Sequence, residues 1–466
     1  MTLPPPALAS RIELMKRPAH LTTAPRWLCT SRLLIAFSLV LVSSSQLFAQ
    51  LEFENEPINY HTTPTTDRIA KLIAAIEKGE TKLTWDETHG WLPSMLKELD
   101  VPRSSQTLVF SKTSLQLSRI STHRPRALYY NDDTYVGWVQ RGDVVELAAV
   151  DPVQGTIFYT LKQTDHQPPD IRRDKGNCLV CHASTRTKGV PGLLIRSVFP
   201  AEDGQPHFGL GTQTTDHTTP FVERFGGWYV TGNHGAMRHR GNAIADDTKD
   251  DPIDPEPGAN LSSLDNLIRT QPYLEPGSDL VALMLLEYQS QMHNVLTRAS
   301  YETRRALHYD SVMNAALDRE ADFRSDVTER RITSEGDRLL AYLFYCDEYA
   351  LKSPVQGTSK FVEDFQQLGP RDKQGRSLRD FDLQTRMFRY PLSYLIYSEA
   401  FDLLPVAVRS YVEARMADIL SGKDESDEFA HLTKADRQAI SEILRDTKPA
   451  LWQRISASTA TASVAD

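Results

Sequence analysis

Residues 278–309, SDLVALMLLEYQSQMHNVLTRASYETRRALHY, contain neither glycine nor proline. A run of that length without a breaker folds as one long helix, and Ser278 is placed to cap its first turn. The chain before it has a different texture. TLVFS, RALYYND, TYVGWVQ, VVELAAVD and GTIFYTLKQ follow one another between 107 and 163 and are rich in Val, Tyr, Phe, Trp and Thr. Asn131-Asp132-Asp133, Arg141-Gly142-Asp143 and Pro152-Val153-Gln154-Gly155 separate them, which predicts an antiparallel meander. GLLIRSVFP (192–200) predicts a further strand. The expected class is therefore α+β, an antiparallel β-rich N-terminal half followed by an α-helical C-terminal half.

The expected organisation is a β-rich domain over 50–240 and a helical domain over 261–452. An acidic, Pro-rich linker or surface loop, GNAIADDTKDDPIDPEPGAN (241–260), joins them, and a disordered tail covers 453–466. Short amphipathic helices are expected at 67–79 and 90–99. Later ones are expected near 335–351, 359–368, 381–402, 405–421 and 433–446, the last opened by a capping box at Thr433 and Asp436.

Residues 33–42, LLIAFSLVLV, follow Arg26 and Arg32 and precede Ser43-Ser44-Ser45 and Leu47-Phe48-Ala49. The run is short for a membrane span and has the layout of a secretory signal peptide over 1–49, with Met1 or Met15 as the start. An uncleaved anchor is the alternative. Cleavage removes five basic residues and one acidic residue, which takes the formal charge from −9 to −13. The expected location is periplasmic or secreted in a bacterium, not integral to the membrane once the signal is removed. An acidic chain of this kind offers no basic face for nucleic acid.

Three of the four cysteines then remain: Cys178, Cys181 and Cys346. An odd count argues against a purely disulfide framework. Cys346, within the apolar LAYLFYCDEYA, is expected to be a buried thiol. Cys178 and Cys181 belong to GNCLVCHAST, where His182 follows at once. C-x-x-C-H is the spacing of c-type haem attachment: two thiols bond the vinyl edge of the porphyrin and the next residue ligates the iron. A redox dithiol, a two-residue disulfide loop and a zinc half-site are the rival readings. The dithiol needs no histidine there, and zinc needs further ligands.

If His182 is the proximal ligand of a single covalent haem c, the opposite ligand is sought in DHTTPFVERFGGWYVTGNHGAMRHRGN (216–242). Imidazole and thioether are common axial groups, so His239, His234 and, more weakly, Met237 are the distal candidates, in that order. Arg224, Arg238 and Arg240 are candidate partners for haem propionates. His293 on the long helix is read as packing more than as a ligand. Tyr129, Tyr130, Tyr135 and Trp138 are read as core.

Several of these stretches together carry a resemblance. SSQTLVFSKTSLQLSRIS (104–121), the meander over 125–161, CLVCHAS (178–184), PGLLIRSVFP (191–200), ERFGGWYVTGNHG (223–235) and RYPLSYLIYSEAFDLLP (389–405) are similar to a family of exported bacterial proteins bearing a cytochrome c domain label. The resemblance spans about 55–452. It implies one haem at Cys178, Cys181 and His182, with the glycine–tryptophan segment at 226–232 and its histidines at 234 and 239. It does not imply an all-helical small cytochrome, and it implies no particular reaction.

Two functions follow as expectations. One is electron transfer, with both axial positions filled and an unidentified redox partner protein docking on the acidic surface. The other is a haem enzyme acting on peroxide or another small oxidant at an open sixth site, with His217, His234 and Arg224 as acid–base candidates. A haem-based sensor or binding protein is the third class.

Overall fold

The computed structural model describes residues 52–462, with side-chain burial described through 457; the expected signal peptide at 1–49 and the end of the tail at 463–466 lie outside the described residues. The meander forms as expected. Strands β1 (Thr107–Val109), β2 (Arg126–Tyr130), β3 (Thr134–Trp138), β4 (Val144–Asp151), β5 (Gly155–Lys162) and β6 (Ile171–Arg173) lie side by side. β7 (Arg196–Val198) and β8 (Thr212–Thr214) pair as a separate ribbon, and β9 (Trp228–Tyr229) adds to β1. The resulting sheet runs β6-β5-β4-β3-β2-β1-β9, with every described pairing antiparallel. The β4–β5 hairpin closes because Asp151 Oδ1 accepts the N–H groups of Val153 and Gln154 (2.9 and 2.8 Å).

Register assigns the two faces, since directly opposed residues share one. Tyr135 faces Tyr130, Gly137 and Thr160 face Glu146, and Phe158 faces Ala148, so all of these line one face. The other face carries Tyr129, Val136, Leu147 and Tyr159. It is covered from the α1 (Arg68–Glu77) and α2 (Leu92–Glu98) side: Tyr159 donates to Asp67, the N-cap of α1, at 2.7 Å.

The Phe158 face is covered by the long helix. The four-residue turn α3 (Leu179–His182) precedes α4, which runs from Leu280 to Ala316, 37 residues. Its first half is buried on every side. Tyr130 donates to Ala282 O (2.6 Å), Gln289 Nε2 donates to the Tyr135 hydroxyl (2.6 Å), and Gly155 comes so close to Thr297 that a Cβ would lie 2.4 Å from its methyl. The remaining helices are α5 (Asp326–Leu343), α6 (Phe361–Gln367), α7 (Glu399–Asp402), α8 (Val406–Ser421), α9 (Lys434–Thr447) and α10 (Pro449–Ala462). They extend the same core, α5 against α4 and α8, and α8 against α9 and α10. No helix among the described residues is long and apolar enough to cross a membrane.

Several boundaries differ from expectation. Residues 52 onward form one compact unit, so the β-rich and helical parts share a core. The 241–260 segment is a surface loop folded on itself, with Asp246 N–H bonding Pro252 O and Asn242 Nδ2 bonding Gly258 O. The cap of α4 is Asp279; Ser278 instead accepts from Leu108 N and donates to Tyr229 O, stitching β1 to β9. α5 begins earlier than expected because Ser325 caps it, and it stops before Tyr345 and Asp347, which hold left-handed backbone. Residues 381–402 are mostly irregular. Asp382 closes a turn on Thr385 and Arg386, Leu383 has φ 55°, and Pro391 interrupts the rest. The expected tail is helical as far as Ala462.

Candidate functional site

The C-x-x-C-H turn is built by Asp174. Its Oδ2 accepts the N–H groups of Gly176 (2.8 Å) and Cys178 (2.9 Å), which bends the chain out of β6 and into α3. Within the turn, His182 N–H bonds Cys178 O (2.9 Å), so the imidazole and the first thiol are joined through one helical bond. Both thiols are unpaired; Cys178 is half-buried and Cys181 exposed. Burial pushes the Cys178 thiol up to about 12, with the Asp174 and Glu146 carboxylates acting in the same direction. Val180, between the cysteines, is 81 % exposed, so the outer side of the turn is open.

His182 lies on the Phe158 face of the sheet. The two rings are 4.8 Å apart, centroid to centroid. Its Nδ1 is 2.9 Å from Gly192 O and donates to it, which fixes the tautomer and leaves Nε2 as the lone-pair nitrogen. That nitrogen has no hydrogen-bond partner among the described residues. Burial holds the imidazole below its ordinary value, so it is neutral and able to ligate near neutral pH. This is the arrangement expected of a metal-ligating histidine: one nitrogen anchored on a carbonyl, the other free. Two unpaired thiols lie on the same turn. Among the described residues no three His, Cys, Asp or Glu side chains are grouped to hold a metal ion.

Around the imidazole are groups the sequence did not single out. Arg126 and Glu146 form an ion pair on the same sheet face. Ser114 and Gln116 also donate to that carboxylate (3.1 and 3.0 Å). Arg196, on β7, is half-buried, and its guanidinium makes no hydrogen bond or ion pair among the described residues. The electrostatics of Arg126, Glu146 and Arg196 all act on His182.

The distal candidates sit elsewhere. His234 and His239 pack together, ring centroids 4.7 Å apart, inside Phe221 and Phe225. His234 donates from Nδ1 to Met237 O (2.8 Å) and accepts at Nε2 from Asn260 N–H (3.0 Å), so both nitrogens are used. His239 Nδ1 accepts from Gly241 N–H (3.0 Å), which puts the proton on Nε2; burial pushes the group down to about 3. Met237 is buried, its sulfur accepting from Lys352 N–H (3.4 Å). This cluster belongs to the start of α4: Thr231, three residues before His234, accepts the Leu280 N–H (3.0 Å). The His182 turn reaches α4 at Asn294, fourteen residues and about 21 Å further along the helix. The structure does not bring His182 together with His234, His239 or Met237.

The arginines expected at propionates are also engaged. Arg224 is buried, donating to His217 O (2.9 Å) and Thr219 O (2.8 Å) and facing Glu287 at 3.5 Å. Arg238 pairs with Glu256, and Arg240 stacks on Phe199. His217 is enclosed by the edges of Tyr288, Tyr342 and Tyr345, with Nε2 3.2 Å from Cys346 O. His293 bonds Asp132 O (2.8 Å) and packs on Tyr135, as a core histidine does. Cys346 is buried, as expected.

The chain matches no protein-family model, no curated protein and no solved structure.

Proposed function

We propose that this chain is an exported single-haem c-type protein acting in redox chemistry, with thioether bonds at Cys178 and Cys181 and His182 as the axial iron ligand. The observation that carries the reading is the His182 imidazole, tethered at Nδ1 to Gly192 O with Nε2 free, on the same turn as two unpaired thiols. The resemblance of the long motifs to exported cytochrome c domain proteins points the same way, as does the leader-like N terminus. When bound, the haem supplies a one-electron couple. The chain's own residues hold the turn through Asp174, fix the imidazole plane through Gly192, and pack Phe158 against the ring. In the electron-transfer form of this reading, an acidic mature chain docks a basic redox partner in the periplasm or outside the cell.

A second reading, a haem enzyme acting on peroxide or another small oxidant, is favoured by one observation. The nitrogens of His234 and the Nδ1 of His239 are committed to backbone bonds at the far end of α4, which leaves the sixth coordination site without those ligands.

The test is an optical spectrum of the mature chain made with a haem-attachment system, recorded oxidised, reduced, and reduced under carbon monoxide. A c-type spectrum that Cys178→Ala with Cys181→Ala abolishes supports covalent haem; retained covalent haem in that variant, or none in the parent, overturns it. A reduced spectrum insensitive to carbon monoxide favours the carrier, and one that shifts favours the open site.

A further inference from the structure

We infer that Asn294, on the long helix, is a positioning residue for His182, acting through the Gly192–Leu193 backbone. This inference rests on the haem reading of the site. Asn294 is fully buried. Its Oδ1 accepts the Leu193 N–H at 2.9 Å and its Nδ2 donates to Leu193 O at 2.7 Å, so one side chain clamps both polar groups of one residue. The peptide it holds begins at the Gly192 carbonyl, the acceptor for His182 Nδ1–H at 2.9 Å. Gly192 N–H in turn donates to His182 O at 2.8 Å, which makes the contact reciprocal. A Cβ on Gly192 would stand 2.2 Å from Asn294 Oδ1, so the chain passes the amide as closely as a glycine allows.

The 190–193 segment lies in no helix or strand, so it has no ladder of its own to fix its carbonyl directions. Without Asn294, the Gly192 carbonyl is free to rotate away from the imidazole. With it, the carbonyl is aimed by a rigid helix that is itself buried against the sheet. A carbonyl accepting from Nδ1–H makes Nε2 a stronger donor and fixes the ring plane, and partners of this kind tune metal affinity by 10–100-fold. A stronger imidazole donor favours the oxidised iron. Loss of the clamp therefore moves the couple toward the reduced form.

The experiment compares the haem-loaded parent with Asn294→Leu, which keeps the volume and removes both bonds, and with Gln289→Leu. Gln289 makes comparable buried bonds, to Asn131 O and Tyr135, away from the His182 turn, and controls for general loosening of the helix. Reduction potential and the iron–histidine stretch in resonance Raman are read. Asn294→Leu is expected to raise the reduced-to-oxidised ratio about tenfold, about 59 mV for one electron, and to lower the stretching frequency, while Gln289→Leu leaves both in place. A potential equal to the parent's in Asn294→Leu, or an equal shift in Gln289→Leu, overturns the inference. Should Asn294→Leu fail to fold, Asn294→Asp serves: it keeps the bond from Leu193 N–H but sets an oxygen against Leu193 O, so the iron–histidine stretching frequency falls, and an unchanged frequency overturns the inference. Absence of covalent haem from the parent is a separate result, and it is the haem reading that then fails.

Discussion

Replacing Asp279 by asparagine is expected to lower stability by about 3 kcal/mol, although the change is one atom. The carboxylate works at both ends. Oδ1 caps α4 by accepting from Val281 and Ala282 N–H (2.9 and 3.0 Å). Oδ2 accepts from Thr358 N–H (2.8 Å), Ser359 N–H (2.8 Å) and the Ser359 hydroxyl (2.9 Å), tying the helix start to the 358–359 turn. An amide has one oxygen. Whichever end keeps it, an NH2 group faces at least two backbone donors at the other, and each unmade, partly buried bond costs about 1–3 kcal/mol. The hydroxyl can turn away, so two such losses of about 1.5 kcal/mol each, in the lower half of that range, dominate. With an unfolding entropy of about 2.1 cal/mol/K per residue, a unit of roughly 400 residues converts 3 kcal/mol into a fall of about 3–4 °C. The assay is thermal unfolding by circular dichroism, with Asp279→Ala alongside. Alanine loses the bonds at both ends, so it is expected to be at least as damaging as asparagine. An Asp279→Asn protein melting within 1 °C of the parent would refute the reasoning.

Other substitutions probe other parts of the structure. His217 is held by burial down at about 4, below the ordinary 6.5 of imidazole. The unfolded chain therefore protonates first, and the stability this neutral histidine contributes is full above pH 6.5 and lost as pH falls from 6.5 toward 4. His217→Phe should flatten the dependence of melting temperature on pH in that window by up to about 1.4 kcal/mol per pH unit; parallel curves for the two proteins would count against it. In the haem-loaded chain, His234→Ala with His239→Ala should leave the spin state unchanged, because neither ring lies near His182; a low-spin to high-spin change in the optical spectrum would show otherwise. Asp174→Ala removes the acceptor that shapes the attachment turn, so the covalent haem yield per protein, measured by pyridine haemochrome, should fall severalfold while the melting temperature of the chain without haem changes by less than 2 °C.

What the sequence made legible was local. The hairpin at Asp151–Gly155, the capping box at Thr433 and Asp436, and the unbroken run after 278 each depend on neighbours within a few residues, and each appears close to where expected. The C-x-x-C-H turn is legible for the same reason. What the sequence hid depends on contacts distant along the chain. Glycine-rich spacing around His234 and His239 gave no means of knowing that their partners would be Asn260, Met237 and Gly241. His293 is the titratable group, yet it is its neighbour Asn294, a neutral amide, whose partner borders the carbonyl that His182 bonds. The 381–402 stretch has apolar content that suits a helix. Its first half is instead organised by an aspartate turn and a left-handed leucine that pattern alone does not reveal.

The long helix has a consequence for the order in which the molecule is made. The sheet face that carries Phe158 and His182 receives its cover from residues 280 onward, about a hundred positions after the cysteines. During amino-to-carboxyl synthesis, that face exists before its cover does. Cys178, Cys181 and His182 therefore pass through a period in which the turn has emerged and Asn294 has not. The long helix docks only afterwards. A chain of this topology leaves the cysteine turn open until the long helix closes over the sheet.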